Sequence, residues 1–343
     1  MKKVLFCVAW LCAALPALAS DRQVFLFNWS EYMPDAVLEQ FKEETGIEVV
    51  YTTFDNNESM YAKLKLTGES GYDIAVPSTY YVSRMRAEGL LQQLDKSKLD
   101  NLQHIDPNKL NQPFDPNNEY SIPYLWGSTG LSVNAAEVSV DSVQSWADLW
   151  RPEYAGQILL IDDVRDVFSM GLHVLGYSAN STDSLEIHSA YEKLKEMVPG
   201  VRVFDSDSPK MPYLNGEVNV GMNWNGEVFQ AVEEGADMAY IYPTEGAMLW
   251  MDNLVIPSGA KHVEDAHTFI NFLLRPEIAK MICEDIGYAS PNKTAIGLLD
   301  EAVRTNRTVY PTEEDLRGSE FQNDVGPAIA IYAKYWELLK AGI

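Results

Sequence analysis

The sequence predicts an α/β protein built from two lobes with a cleft between them. Strand-like and helix-like segments alternate along the chain, and two such series follow one another. Strands that alternate with helices favour parallel sheets with helices packed on their faces. A chain of 343 residues also exceeds the roughly 250–300 residues at which a single hydrophobic core stops growing.

The first series occupies the N-terminal part of the chain. Apolar, β-branched and aromatic runs predict its strands, while a proline in the first turn and a glycine after the last turn delimit its helices. The predicted elements are a strand at 24–27, a helix from Pro34 to Gly46, a strand at 47–54, a helix at 58–66 closed by Gly68, a strand at 72–77 and a helix from Ser78 to Gly89.

The second series fills the rest of the chain and follows the same rules, with Pro276 dividing two helices. Its predicted strands are 157–161, 218–222, 239–242 and 249–256, and its predicted helices are 146–150, 163–175, 185–197, 261–274, 276–286 and a last one from about 328. We expect residues 21–127 and 251–296 to form one lobe and residues 128–250 and 297–343 to form the other. Ligands favour the cleft between such domains.

The first 19 residues predict a cleaved secretory signal. Residues 1–3 are a short basic start, residues 17–19 fit the small-x-small pattern of a cleavage site, and residues 4–15 form an apolar run. That run is shorter than the ~20 residues that a membrane-spanning helix needs, although a retained N-terminal anchor is the alternative. Cleavage leaves Cys283 alone, so we expect no internal disulfide and a buried thiol in an apolar helix.

The net negative charge and the lack of known catalytic and nucleotide-binding motifs argue against several classes of function. The formal net charge is −24, which argues against nucleic acid and anionic lipid as partners and is compatible with a cationic ligand. The sequence lacks the glycine-rich nucleotide motifs and the G-x-S-x-G elbow, and its histidines have no metal-ligand spacing. We therefore predict no cofactor, no metal and no catalytic residue.

One short segment predicts a site for an ammonium group. Trp250 and Asp252 are two residues apart in a predicted strand, so their side chains point to the same face. An indole ring contributes roughly 0.5–2 kcal/mol to a cation over its face, and a carboxylate adds charge-assisted hydrogen bonds. The alternative is a core tryptophan beside a solvated aspartate.

A second acidic segment opens a predicted helix. Asp163 and Asp166 are three residues apart and share a face, and the helix dipole favours their ionised forms. Ordinary helix capping explains the same pattern. Aromatic residues recur at similar strand ends and loops, namely Trp29, Tyr32, Tyr80, Trp224 and Tyr288.

With these segments in view, the sequence resembles the bacterial spermidine/putrescine-binding periplasmic proteins over nearly all of the chain after residue 24. The segments that carry the resemblance are 27–32 (FNWSEY), 72–81 (YDIAVPSTYY), 224–226 (WNG), 250–252 (WMD) and 321–326 (FQNDVG). The resemblance implies a periplasmic solute-binding fold, with two α/β lobes that close around the ligand. It also implies a monomer that is exported to the periplasm and feeds an inner-membrane ABC permease complex.

The resemblance further implies a role for each residue of a binding site. The aromatic box around a polyamine chain would be Trp29, Tyr32, Tyr80, Trp224, Trp250 and Tyr288. The carboxylates that hold its ammonium groups would be Asp163, Asp166 and Asp252, and polar contacts would come from Ser30, Ser78 and Gln322. The family often has Glu at position 166 and Thr at position 30, so the shorter Asp166 leaves the choice among polyamines open.

Other functions fit some of these features. A polyamine sensor that docks on a membrane signalling receptor would have the same site. A secreted glycoside hydrolase would also use tryptophan platforms and paired carboxylates, but the excess negative charge argues against it. A sugar or an amino acid is an alternative ligand, although an amino acid needs a cation for its carboxylate and the candidate set has none.

Overall fold

A computed structural model describes residues 22–67 and 71–342. The predicted signal peptide and the predicted helix cap at Gly68 lie outside the described residues. The strands are β1 (Arg22–Trp29), β2 (Ile47–Phe54), β3 (Ile74–Ala75), β4 (Ser121–Asn134), β5 (Ile158–Leu160), β6 (Val201–Phe204), β7 (Val220–Trp224), β8 (Met238–Ile241), β9 (Met248–Val255) and β10 (Glu320–Phe321).

The helices match the predicted series and add a nine-residue helix at 225–233, which was not predicted, and several short ones. They are α1 (Asp35–Thr45), α2 (Asn57–Thr67), α3 (Thr79–Ala87), α4 (Val164–Val174), α5 (Ser184–Met197), α6 (Met211–Leu214), α7 (Asn225–Glu233), α8 (Val263–Leu273), α9 (Pro276–Ile286), α10 (Lys293–Ile296), α11 (Glu301–Arg304) and α12 (Ile329–Ala341). The predicted helix at 146–150 is a 3₁₀ helix. Within residues 22–67 and 71–342, every helix is too short or too polar to cross a membrane.

The ends of α1 and α9 follow from proline and glycine. Pro34 directly precedes α1, and Gly46 ends it with a φ of 69° while its N–H donates to the Lys42 carbonyl oxygen. Pro276 begins α9 and Gly287 ends it with a φ of 77°. Both terminators are in the left-handed region, which glycine enters without the cost that a Cβ imposes. The sequence predictions for these two helices are confirmed.

The sheet is mixed, not purely parallel. Its strand order is β2-β1-β3-β9-β4-β7-β5-β6, with β10 beside β9 and β8 beside β4. Parallel pairing holds in the outer parts, where β1 pairs with β2 and β3 and where β5 pairs with β6 and β7. In the centre, β4 pairs antiparallel with β9 and with β7. The long β4 therefore joins the two parallel halves.

The sequence did not predict β4, because proline and glycine usually argue against a strand interior. Pro123 lies at a shift in the register between β4 and β9, where a missing N–H is tolerated. Gly127 lies where a side chain would not fit, since a Cβ there would be 2.6 Å from the Trp250 ring. Both residues are compatible with this strand because of its neighbours, which the local sequence does not reveal.

The hydrophobic side chains form two large clusters. The first takes residues 24–125 and 250–288, and the second takes residues 131–248 and 325–339. Trp224 packs against both clusters. The chain passes from one cluster to the other within β4 and near the start of β9. The predicted lobe limits at 127/128, 250/251 and 296/297 remain a prediction.

Cys283 belongs to a small third cluster. It is a buried free thiol, as its apolar helical surroundings predicted. Burial raises the pKa of this thiol to about 11, so it stays protonated and unreactive at neutral pH.

Candidate functional site

A cavity lies between the two clusters, beside the central strands β4 and β9. Every residue that the sequence and the resemblance nominated lines it: Trp29, Ser30, Tyr32, Ser78, Tyr80, Asp163, Asp166, Trp224, Trp250, Asp252, Tyr288 and Gln322. The same cavity is also lined by residues that were not predicted, namely Asn57, Ser206, Asp207 and Glu227.

Aromatic rings wall the cavity and hold one another in place. Trp29 and Trp224 meet edge to face with centroids 5.9 Å apart, which brings together one ring from each side of the cleft. Tyr288 contacts both Trp250 and Tyr32 at centroid distances of 5.3 Å. Edge-to-face pairs add roughly 0.5–1.5 kcal/mol beyond burial. These walls are therefore fixed, and they suit the alkyl part of a ligand as well as a cation.

Asp252 is set into the wall by β9. Trp250 and Asp252 are two residues apart in β9, and both line the cavity, as the alternation of side chains along a strand predicted. The two carboxylate oxygens of Asp252 accept hydrogen bonds from the Tyr32 hydroxyl at 2.8 Å and from the Ser78 hydroxyl at 2.6 Å. Both donors are neutral. Burial raises the pKa of Asp252 to about 7, against the opposing effect of the two hydrogen bonds.

Ser78 is positioned by Asn57, which the sequence patterns did not predict as a site residue. The Asn57 amide donates to the hydroxyls of Ser78 and Tyr80, each at 3.1 Å, and its carbonyl oxygen accepts from the Ser78 N–H. Asn57 is the first residue of α2 and is 2% exposed. A polar residue at a helix start is a common cap signal, so nothing local indicated that this one reaches the cavity.

Asp163 caps a helix and also lines the cavity. It is the N-cap of α4, where one carboxylate oxygen accepts from the N–H groups of Arg165 and Asp166 at 2.8 and 3.0 Å. The same side chain lines the cavity. Burial raises the pKa of Asp163. The Arg165 guanidinium is directed elsewhere, since it donates to the Asn323 carbonyl oxygen at 2.9 Å.

Asp166 lies in the first turn of α4, three residues after the Asp163 cap. It accepts hydrogen bonds from the Trp224 indole N–H at 3.0 Å, the Thr129 hydroxyl at 3.1 Å and the Gln322 amide at 2.6 Å. Burial and, second, the charge of Asp163 raise the pKa of Asp166 to about 7. Asp163, Asp166 and Asp252 are each at most 5% exposed, and the donors that solvate them are neutral. The Arg165 charge partly compensates Asp163 and so lowers its pKa against the effect of burial. Asp166 and Asp252 have no such positive neighbour among the causes of their shifts, so their ionised forms are costly until a cation binds.

The two sides of the cleft meet around the cavity. Ser30 donates a hydrogen bond to Asp207, and Lys210 forms an ion pair with Glu31 at 2.9 Å. Glu31 holds this position with a φ of 48°, an uncommon value for a residue with a Cβ. We call these two contacts the rim contacts. They join residues that are about 180 positions apart in sequence, so no local pattern could have revealed them.

Within residues 22–67 and 71–342 there is no group of histidine, cysteine and acidic side chains arranged to hold a metal ion. The described cavity presents buried carboxylates and aromatic side chains in one lining.

The sequence profile of the bacterial extracellular solute-binding protein family matches residues 36–307. A spermidine/putrescine-binding periplasmic protein of Escherichia coli is 53% identical over 94% of this chain and 92% of its own length. The chain belongs to the spermidine/putrescine-binding periplasmic protein family. The resemblance found from the sequence is thereby confirmed, and the sensor and glycoside hydrolase alternatives find no support among these relatives.

Solved structures of this family share the two-lobed fold. A proposed spermidine/putrescine ABC transporter protein of Listeria monocytogenes superposes with a TM-score of 0.90 at 37% identity, covering 94% of this chain and all of the other. A spermidine/putrescine ABC transporter substrate-binding protein of Streptococcus pneumoniae gives a TM-score of 0.78 at 38% identity over 94% of this chain and 99% of its own. The predicted fold class is confirmed.

Proposed function

We propose that this protein binds a linear polyamine in the periplasm and delivers it, as a monomer, to an inner-membrane ABC permease complex, without catalysing a reaction. The observation that supports this most directly is the set of buried carboxylates in one aromatic-walled cavity. A polyamine at neutral pH is a string of ammonium groups separated by alkyl spacers. Asp163, Asp166 and Asp252 compensate the charges, and the aromatic rings cover the methylene groups between them.

The same cavity is poorly suited to the other ligands considered. An amino acid carries a carboxylate, which would be placed among buried aspartates without a basic partner in the lining set. A neutral sugar would leave those aspartates without a cation. Catalysis also finds no support among the relatives, which are named as binding proteins.

Calorimetric titration of the purified protein tests the proposal. The protein is first unfolded and refolded to remove any co-purified ligand, and is then titrated with diamines, triamines, sugars and amino acids. We expect saturable binding of polyamines and none of the other classes. Tight binding of a sugar or an amino acid, with no response to polyamines, would overturn the proposed function.

We predict that a triamine such as spermidine binds at least tenfold more tightly than the diamine putrescine. A diamine leaves at least one buried carboxylate without a cation, which is costly. The triamine also buries about three more methylene groups at ~0.8 kcal/mol each, against an ordering cost of up to ~1 kcal/mol per immobilised group.

Competitive titration of the two ligands measures this ratio. Equal affinities, or tighter binding of putrescine, would contradict the prediction. Asp166→Glu is then the informative variant, because it lengthens the carboxylate side chain by one methylene group and restores the residue usual in the family.

We further propose that the lobes, with the limits predicted from the sequence, close on the ligand. The rim contacts between Ser30 and Asp207 and between Glu31 and Lys210 belong to the closed arrangement, because each joins one predicted lobe to the other. Small-angle scattering of the refolded protein should show a smaller radius of gyration after polyamine is added. An unchanged radius, with binding confirmed by calorimetry on the same sample, would count against closure.

A further inference from the structure

Glu227 is a cavity carboxylate that the predicted site does not account for. It lies in the first turn of α7, three residues after Trp224, lines the cavity and is 4% exposed. One of its carboxylate oxygens accepts a long hydrogen bond of 3.4 Å from the backbone N–H of Lys210. The other oxygen has no hydrogen-bond partner in the described part of the chain. Such a buried, half-solvated carboxylate is costly unless something else binds to it.

The nearby lysine does not serve as that partner. The Lys210 ammonium group contacts Glu31 at 2.9 Å, Glu234 at 3.2 Å and Gln230 at 2.7 Å. It is therefore already surrounded by acceptors at the rim. Burial raises the pKa of Glu227 to about 8 although the charge of Lys210 opposes the shift. Glu227 is therefore a buried carboxylate whose negative charge Lys210 does not fully compensate, and it is not one half of a structural ion pair.

The position of Glu227 is distinct from that of the other cavity carboxylates. The first turn of α7 is pressed against Tyr288, since a Cβ on Gly226 would lie 2.4 Å from the tyrosine ring. Burial, followed by the charges of Glu227 and Asp252, raises the pKa of Tyr288. Asp166, in contrast, is bonded to Trp224, Thr129 and Gln322.

The cavity therefore has three separate anionic positions. Asp163 and Asp166 share the first turn of α4 and act on each other's charge, so they form one position. Asp252 forms the second, between Tyr32 and Ser78. Glu227 forms the third, on α7 beside Tyr288.

We infer that Glu227 forms a cation subsite that receives the third ammonium group of a triamine and thereby discriminates triamines from diamines. This inference rests on the proposed function and assigns part of its specificity to one residue. A diamine occupies the positions at Asp163/Asp166 and at Asp252, and it leaves Glu227 protonated and neutral. A triamine reaches all three positions and binds Glu227 in its ionised form.

The test compares Glu227→Gln with a matched control. Glutamine keeps the size of the side chain and removes its charge. Glu233→Gln removes the same charge from the same helix at an exposed position. We expect Glu227→Gln to weaken spermidine binding tenfold or more, because loss of one partner of a buried charge pair costs well over one decade of affinity. Putrescine binding should change by less than about threefold, because the diamine does not use this subsite. Glu233→Gln should leave both affinities unchanged.

Ligands that lack one charge make the assignment specific. Spermidine acetylated at one or the other terminal nitrogen has one fewer ammonium group. With the wild-type protein, we expect both acetylated forms to bind more weakly than spermidine. With Glu227→Gln, one of the two should bind as well as spermidine does, because the subsite for its missing charge has already been lost.

The outcomes separate the two hypotheses. If wild-type protein binds no polyamine, the proposed function fails and this inference fails with it. If wild-type protein binds spermidine but Glu227→Gln loses spermidine and putrescine affinity equally, or loses neither, the subsite at Glu227 is wrong while the proposed function stands. Should Glu227→Gln unfold, Glu227→Asp serves instead, with a smaller loss expected for spermidine alone, and an equal loss for both ligands overturns the inference.

Discussion

Asp252→Asn is expected to weaken polyamine binding at least tenfold while the protein remains folded. The wild-type carboxylate is 3% exposed and accepts hydrogen bonds only from the neutral hydroxyls of Tyr32 and Ser78 in the described structure, so in the proposed complex the ligand cation is its charged partner. Loss of one partner of a buried charge pair costs ~2–5 kcal/mol, whereas loss of an exposed pair costs ~0–1 kcal/mol. At about 1.4 kcal/mol for each factor of ten, even the lower limit exceeds one decade.

Asparagine suits this test because it keeps the shape of the side chain. The hydroxyls of Tyr32 and Ser78 each act as donor or acceptor, so both hydrogen bonds survive the change. Asp237→Asn, at an exposed position just before β8, is the matched control and should bind polyamine as the wild type does. Calorimetry gives the affinities and thermal unfolding confirms the fold. A loss of less than tenfold in a folded Asp252→Asn protein would place Asp252 outside the essential part of the site.

Polyamine affinity is expected to fall by roughly a hundredfold or more between pH 8 and pH 5.5. In the empty cavity, burial raises the pKa of both Asp166 and Asp252 to about 7. Alkyl ammonium groups, with a pKa of about 10.4 for lysine, stay charged throughout this range. Below pH 7 the cation therefore has to displace protons from these carboxylates, and each group weakens binding about tenfold for every pH unit below its pKa.

The same raised pKa values make the free energy of unfolding of the ligand-free protein depend on pH. An unfolded aspartate has a pKa of about 3.9, so between pH 4 and 7 the folded protein binds more protons at these two sites than the unfolded chain does. Their contribution to the free energy of unfolding consequently decreases as the pH rises through this window. Ligand-induced stabilisation should thus be larger at pH 8 than at pH 5.5.

Two measurements check the pH prediction. Titrations in buffers of different ionisation enthalpy should reveal proton release on spermidine binding at pH 6 and little at pH 8.5. The variant Asp252→Asn should release fewer protons at pH 6 than the wild type. An affinity that is constant from pH 5.5 to pH 8 would contradict the assignment of these carboxylates as the cation partners.

Local patterns predicted part of the site because they fix side-chain direction. Strand alternation was sufficient to place Trp250 and Asp252 on one face, and helix capping placed Asp163 and Asp166 in one turn. The wall contributed by Trp29 and Trp224 was visible only as a recurrence of aromatics at element ends. For each of these side chains, the sequence pattern alone was compatible with either core packing or ligand binding. The family resemblance favoured ligand binding.

The rest of the site was not predicted because it depends on contacts distant in sequence. β4 contains Pro123 and Gly127, and only the neighbouring strands and side chains explain why a strand accommodates them. Asn57 is a residue type that commonly begins a helix, so its sequence position did not indicate a role in the cavity. Glu227 had a weak signal, since it follows an aromatic strand end in the first turn of a helix, as Asp163 and Asp166 follow β5. Asp207 reaches the cavity only because the two sides of the cleft meet there.

The rim contacts have a consequence for how long a ligand remains bound. If the lobes close as proposed, the contacts of Ser30 with Asp207 and of Glu31 with Lys210 have to break when the cleft opens, so we expect them to affect the dissociation rate. The Glu31 side chain is 45% exposed, and ion pairs of such exposure are weakened by salt. We therefore expect the residence time of a bound molecule to depend partly on the ionic strength outside the cavity, through the ion pair between Glu31 and Lys210.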